Sequence, residues 1–164
     1  RGWVVRVREE VVEAVRQRRF DDLEAIVAGN SRAIRYLVSL TYQDDAELRK
    51  AAARGLALAS RHHPRLLGEV VRRLAWAMND ESGTHAVFAP GVLRVIAEEC
   101  PEILLPVVPD LMRLSGDPGL HDALVEVARL VAAACPNEAA QRMQEALRSC
   151  GQEGERGRQR LGRA

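Results

Sequence analysis

The chain has 164 residues, with 24 basic and 23 acidic side chains and a formal net charge of +1. That balance gives no global pull toward a polyanion or a lipid surface, so it argues against nucleic-acid and membrane partners. Hydrophobic residues make up 47% but aromatic ones only 4%, so the core is expected to be Ala, Val and Leu, which excludes a strand-rich fold and favours closely packed helices. In chain order, Val4 to about residue 19 reads as a helix with Val4, Val11, Val12 and Val15 on its apolar face. Asp21 and Asp22 suit the start of a short second helix that runs through Val27 and stops at Gly29. Ser31 is placed to cap a third, with Ile34, Leu37, Val38 and Leu40 inward. Further helices are predicted near 45–62, 65–79, 84–100, 102–115, 119–135 and 137–150. Pro106 suits a first turn, whereas Pro90 and Pro109 are expected to delay or kink their helices. From Gly151 to Ala164 the chain is Gly-rich and charged, with little beyond Leu161 to bury. A helical domain over 1–150 and a frayed tail over 151–164 are therefore expected.

The predicted helices recur with a period. Asp44, Asp80 and Asp117 are 36 and 37 residues apart, and Pro64, Pro101 and Pro136 are 37 and 35 apart. Before each Pro the apolar positions coincide: Ala52, Ala89 and Leu124; Gly55, Val92 and Val127; Leu56, Leu93 and Ala128; Ala59, Ile96 and Val131; His63, Cys100 and Cys135. Their i, i+3, i+4, i+7, i+11 spacing marks one stripe of an α-helix. After each Pro a second set aligns: Leu67, Leu104 and Ala139; Val71, Val108 and Met143; Leu74, Leu111 and Ala146; Ala75, Met112 and Leu147. Asn79, Gly116 and Gly151 are expected to close these second helices in the left-handed conformation. The fold class read from this pattern is all-α, an α-α superhelix of about four helix pairs.

The stretch Asp44-Asp45-Ala46-Glu47-Leu48-Arg49, followed by Ala51-Ala52-Ala53, resembles the HEAT repeat, a member of the armadillo-like solenoids. In that family an Asp-rich turn precedes an aliphatic–Arg pair and a run of Ala on the second helix. Asp44 or Asp45 can cap the helix, and Arg49 can bridge a carboxylate here or in the next unit. Gly83, Thr84, His85 and Ala86 in the second unit, and Leu120 and His121 in the third, depart from the pattern. Trp76 to Gly83 is similar to a Trp-x-x-Asn-Asp-Glu-Ser-Gly stretch in uncharacterised prokaryotic HEAT-repeat proteins. The resemblance implies a right-handed scaffold that binds another protein or peptide along its concave face. Nucleic-acid-binding HEAT-like proteins of the DNA-glycosylase type and phycobilin lyases are the alternatives it carries. The second helix of each unit would line the groove, presenting Lys50, Arg54, Arg61, Arg94, Glu98, Glu126 and Arg129 outward.

No residue pattern points to catalysis or a cofactor: there is no phosphate-binding Gly loop, nucleophile elbow or metal-ligand spacing. Cys100, Cys135 and Cys150 are odd in number and read as buried thiols, which fits a reducing cytoplasm. The most polar segment runs from Asn79 through Asp80, Glu81, Ser82, Gly83 and Thr84 to His85, between Trp76 and Phe88. It is a candidate partner-binding loop, and a helix cap is the plainer reading. Trp76 itself is expected at the margin of the core. Arg61, Arg65, Arg72 and Arg73 make the best local basic patch. Lys50 is the sole lysine, so arginine abundance looks like codon usage and is discounted as evidence for phosphate binding.

Overall fold

The computed structural model describes residues 2–79, 87–145 and 148. Among the described residues there are no strands. The helices are α1 (Gly2–Arg16), α2 (Phe20–Gly29), α3 (Ala33–Leu40), α4 (Ala46–Ser60), α5 (Pro64–Asn79), α6 (Ala89–Glu99), a 3-10 helix (Pro101–Val107), α7 (Val108–Leu114) and α8 (His121–Ala134). Residues 136–145 are helical as well.

Local chemistry accounts for the boundaries. Asp45 is the N-cap of α4, its Oδ1 accepting from the backbone N–H of Glu47 at 3.0 Å and of Leu48 at 3.1 Å. Pro64 opens α5, where a missing donor costs nothing. Pro90 delays α6, which starts at Ala89 rather than near 84. Pro109 lies in the first turn of α7, and Pro106 sits inside the 3-10 helix, not in a first turn of an α-helix. Two prolines three residues apart thus split the helix expected over 102–115 into a 3-10 and an α segment.

Other expectations change at the ends. Ser31 does not cap α3: Arg32 is the N-cap residue, and the Asn30 side chain accepts its N–H at 3.0 Å. Gly116 is not left-handed, because α7 ends in right-handed geometry through Ser115, whose hydroxyl donates to the Met112 carbonyl at 2.6 Å. Arg18 carries the positive φ instead, 54°, in the tight α1–α2 turn. Val4 is 39% exposed, because the buried stripe of α1 runs Val7, Val11, Ala14 and Val15. The 151–164 tail and Cys150 lie outside the described residues.

The core follows the aligned positions. Ala52, Ala89 and Leu124, then Ala59, Ile96 and Val131, then Leu67, Leu104 and Ala139 are all buried. Equivalence weakens toward the end of the chain: Ala128 and Met143 are half-buried. α4 is the centre, packed against α1, α2, α3, α5 and α6, and α6 in turn contacts α8. Contact on so many sides explains the small residues of α4: nine are buried, from Ala51 to Ser60, and Gly55 lets α2 and α3 close in. A Cβ at Gly55 would stand 2.8 Å from one Leu23 methyl and 2.9 Å from one of Leu37.

Candidate functional site

Beyond its first residue, Ala46, little of α4 reaches solvent, and what is exposed is charged. Lys50 and Arg54 project one turn apart from an otherwise buried segment, on the side where α6 lies. Between the two helices runs a groove of about 410 Å³ lined by Ala46, Arg49, Lys50, Phe88, Gly91, Val92, Arg94, Val95 and Glu98. A smaller one of about 150 Å³ adjoins it, sharing Lys50, Val95 and Glu98 and adding Arg18, Phe20, Glu47, Ala51, Arg54 and Glu99. Both phenylalanines of the chain therefore line this face. Each lies under an α4 arginine: the Arg49 guanidinium is 3.9 Å from the Phe88 ring centroid, and that of Arg54 is 4.3 Å from Phe20. Such stacking holds a guanidinium flat while leaving its edge to hydrogen-bond.

Most charges on this face are already matched. Arg94 Nε donates to Glu98 at 3.3 Å, Arg54 lies 3.3 Å from Glu99, and Arg18 pairs with Glu47. Arg49 donates through Nη1 to the carbonyls of Gln43 and Asp44, both at 2.7 Å. It closes the turn before α4 through these carbonyls and through Phe88 rather than through the Asp44 or Asp45 carboxylate, and the Asp80 counterpart in the next unit lies outside the described residues. Lys50 has no ion pair among the described residues, although it borders both grooves. On α8 Arg129 donates to both oxygens of Glu126, at 2.9 and 2.8 Å. That hydrogen bonding holds the Glu126 carboxyl below its ordinary range, and the field of Arg94 across the α6–α8 contact adds to it.

The structure brings together Lys50, Arg54, Phe88, Arg94 and Glu98 from the sequence candidates. Arg61 stands apart beyond the end of α4, 3.8 Å from Glu24 of α2, a carboxylate it shares with His62 at 3.0 Å. Asp80, Glu81, Ser82, Gly83, Thr84 and His85 lie outside the described residues. Trp76 is not at the core margin: it is 70% exposed. The buried face of α5 is Leu67, Val71, Leu74, Ala75 and Met78. Trp76 follows Leu74 by two residues, about 200° around the helix, and so points away. It lines a different groove with Arg72, Arg73, Asn79, Asp110 and Arg113.

Sequence reasoning missed Phe20, Arg18 and Glu99. All three reach the groove through contacts between helices distant in the chain, which local periodicity does not carry. The one available signal was scarcity: with two phenylalanines in all, each is a marked position. Among the described residues no three His, Cys, Asp or Glu side chains cluster to hold a metal ion, and no helix is long and apolar enough to cross a membrane. Comparison with known proteins identifies no family: no family model, no curated protein and no solved structure matches the chain.

Proposed function

We propose that the chain is a non-catalytic protein-interaction module whose helix pairs stack as a HEAT-like α-α superhelix. The α4–α6 groove is the site, and an extended acidic polypeptide segment is the partner. The burial of equivalent positions in successive helix pairs, and the succession of contacts from α4 to α6 to α8, support the stacked reading. Each unit then adds one outward row to a common face, so weak contacts sum over several helices. This is the architecture of a scaffold read along its length.

The observation that carries the partner class is Lys50. Among the described residues it stands unpaired, at the junction of two grooves whose other described acids and bases are matched, beside a floor of Val92, Val95, Gly91 and the Phe88 ring. A polypeptide with an aliphatic side chain next to a carboxylate satisfies both halves of that surface. Among the described residues a duplex polyanion finds one lysine without an ion pair between neutralised pairs, so the reading of a glycosylase-type DNA groove gains nothing here.

Selection from a random displayed peptide library tests the proposal, with counter-selection on the Lys50→Glu variant. Sequences retained by the native protein and lost by the variant are expected to be rich in Asp and Glu flanked by aliphatic residues. Retention of the same sequences by the variant would overturn it.

A further inference from the structure

The α5 surface that faces away from the core has a composition unlike the rest of the molecule. Arg65, Glu69, Arg72 and Trp76 follow at i, i+4, i+7 and i+11, one stripe about 16 Å long on the side opposite Leu67 and Val71. Trp76 is the most exposed aromatic side chain among the described residues, at 70%. Arg73 borders two grooves, one toward α7 of about 400 Å³ and one toward α3 of about 260 Å³. On the α7 side Arg113 is held by Asp110 at 3.0 Å. The guanidinium groups of Arg72 and Arg73 have no ion pair or hydrogen bond among the described residues, and neither does that of Arg32 on the α3 side, where only the backbone N–H is bonded, to Asn30. Among the described residues the Arg35 guanidinium has only the neighbouring Tyr36 ring, 5.8 Å away. Glu69 is the one acid in this last group.

From this we propose a second binding surface, for single-stranded nucleic acid: a base stacks on the Trp76 indole while the flanking phosphates meet Arg72 and Arg73. The chemistry selects this occupant. Guanidinium forks with no partner among the described residues match phosphate oxygens, and an open indole beside them matches the π-face that every unpaired base presents. A duplex hides its base faces and would leave Trp76 unused. An acidic peptide without aromatic residues would meet the arginines but give the indole no ring to stack on. A lipid surface needs a broader apolar area than Trp76 and the 38%-exposed Leu66 provide. The overall charge of +1 is compatible with this patch, because acids elsewhere offset it.

The surface is independent of the α4–α6 groove and can be tested separately. In a Trp3→Phe background Trp76 is the sole tryptophan. Titration with a fifteen-nucleotide oligothymidylate is expected to quench its emission. Anisotropy of the labelled oligonucleotide should show binding about tenfold weaker in Trp76→Ala, with much of the loss restored in Trp76→Phe. The Arg72→Gln/Arg73→Gln variant should flatten the salt dependence by about 1.4 in log–log slope, as two phosphate contacts require on a single strand. Lys50→Gln should leave oligonucleotide binding unchanged. The proposal is overturned if the oligonucleotide does not quench Trp76, or if Trp76→Ala binds it as tightly as the native protein. It is equally overturned if polyglutamate or phosphatidylserine vesicles bind as well at the same charge concentration.

Discussion

The guanidinium of Arg49 stacks on the ring of Phe88, 3.9 Å from its centroid, while donating two hydrogen bonds backward to the carbonyls of Gln43 and Asp44. One side chain thus ties the turn that starts α4 to the residue that precedes α6. Arg49→Ala removes both attachments, and a stability loss of about 1–3 kcal/mol is expected. Arg49→Lys keeps the charge but neither the flat stacking nor the forked donor, so it should recover little of the loss. Urea unfolding of the two variants checks this; full recovery by Lys would mean that charge alone matters.

At Gly55 side chains of both α2 and α3 press against α4. The two nearest atoms to an added Cβ are methyls of Leu23 and Leu37, and both leucines are fully buried. Gly55→Val should therefore destabilise by about 1–3 kcal/mol through overpacking, which outweighs the few tenths of a kcal/mol that a β-branched residue gains over glycine in helix propensity. A Tm fall of several degrees is expected. An unchanged Tm would mean that the α2–α4 contact is looser than the structure has it.

Ile96 is fully buried at the position equivalent to Ala59 and Val131. Ile96→Asp places a carboxylate there without a partner and should cost several kcal/mol, enough to unfold much of the chain at ambient temperature. Circular dichroism on heating decides it. A native melting curve would show that this position is not in the core.

How much of this was legible beforehand differs between the core and the surface. The stripe through Ala52, Gly55, Leu56 and Ala59 was readable because burial repeats with the helix period, and Pro64 and Asp45 mark boundaries by local chemistry. The split at Pro106 and Pro109 was readable in kind but not in place, since a 3-10 turn and a kinked α-helix differ by small backbone changes. Lys50, Arg54, Arg94 and Glu98 were found as outward positions on helices that the periodicity defined. Phe20 was not, because its place beneath Arg54 depends on how α2 crosses α4. Trp76 was misplaced by treating a large apolar side chain as core; its angular position on α5, set by Leu67, Val71 and Leu74, was the better guide.

Cys100 is buried, with Sγ 3.0 Å from the Ser60 hydroxyl and 3.0 Å from a Glu102 oxygen. Burial first, and the Glu102 carboxylate second, raise its thiol above the ordinary value of 9.0. A thiol whose folded pKa is raised holds its proton longer in the native state, so its contribution is intact below pH 9.0 and is lost as pH rises through the folded value. Native protein should lose more stability than Cys100→Ala between neutral pH and about pH 10. Equal losses would show that the Cys100 thiol ionises as readily in the folded chain as in the unfolded one.

The most direct test of the α4–α6 groove as a polypeptide site is a two-dimensional amide NMR titration with an acidic peptide from the library selection. Shifts are expected to concentrate at Lys50, Gly91, Arg94 and Val95, to leave the Arg72–Trp76 face unmoved, and to vanish in Lys50→Glu. Shifts centred on Arg72–Trp76, or undiminished in Lys50→Glu, would contradict the assignment of the groove.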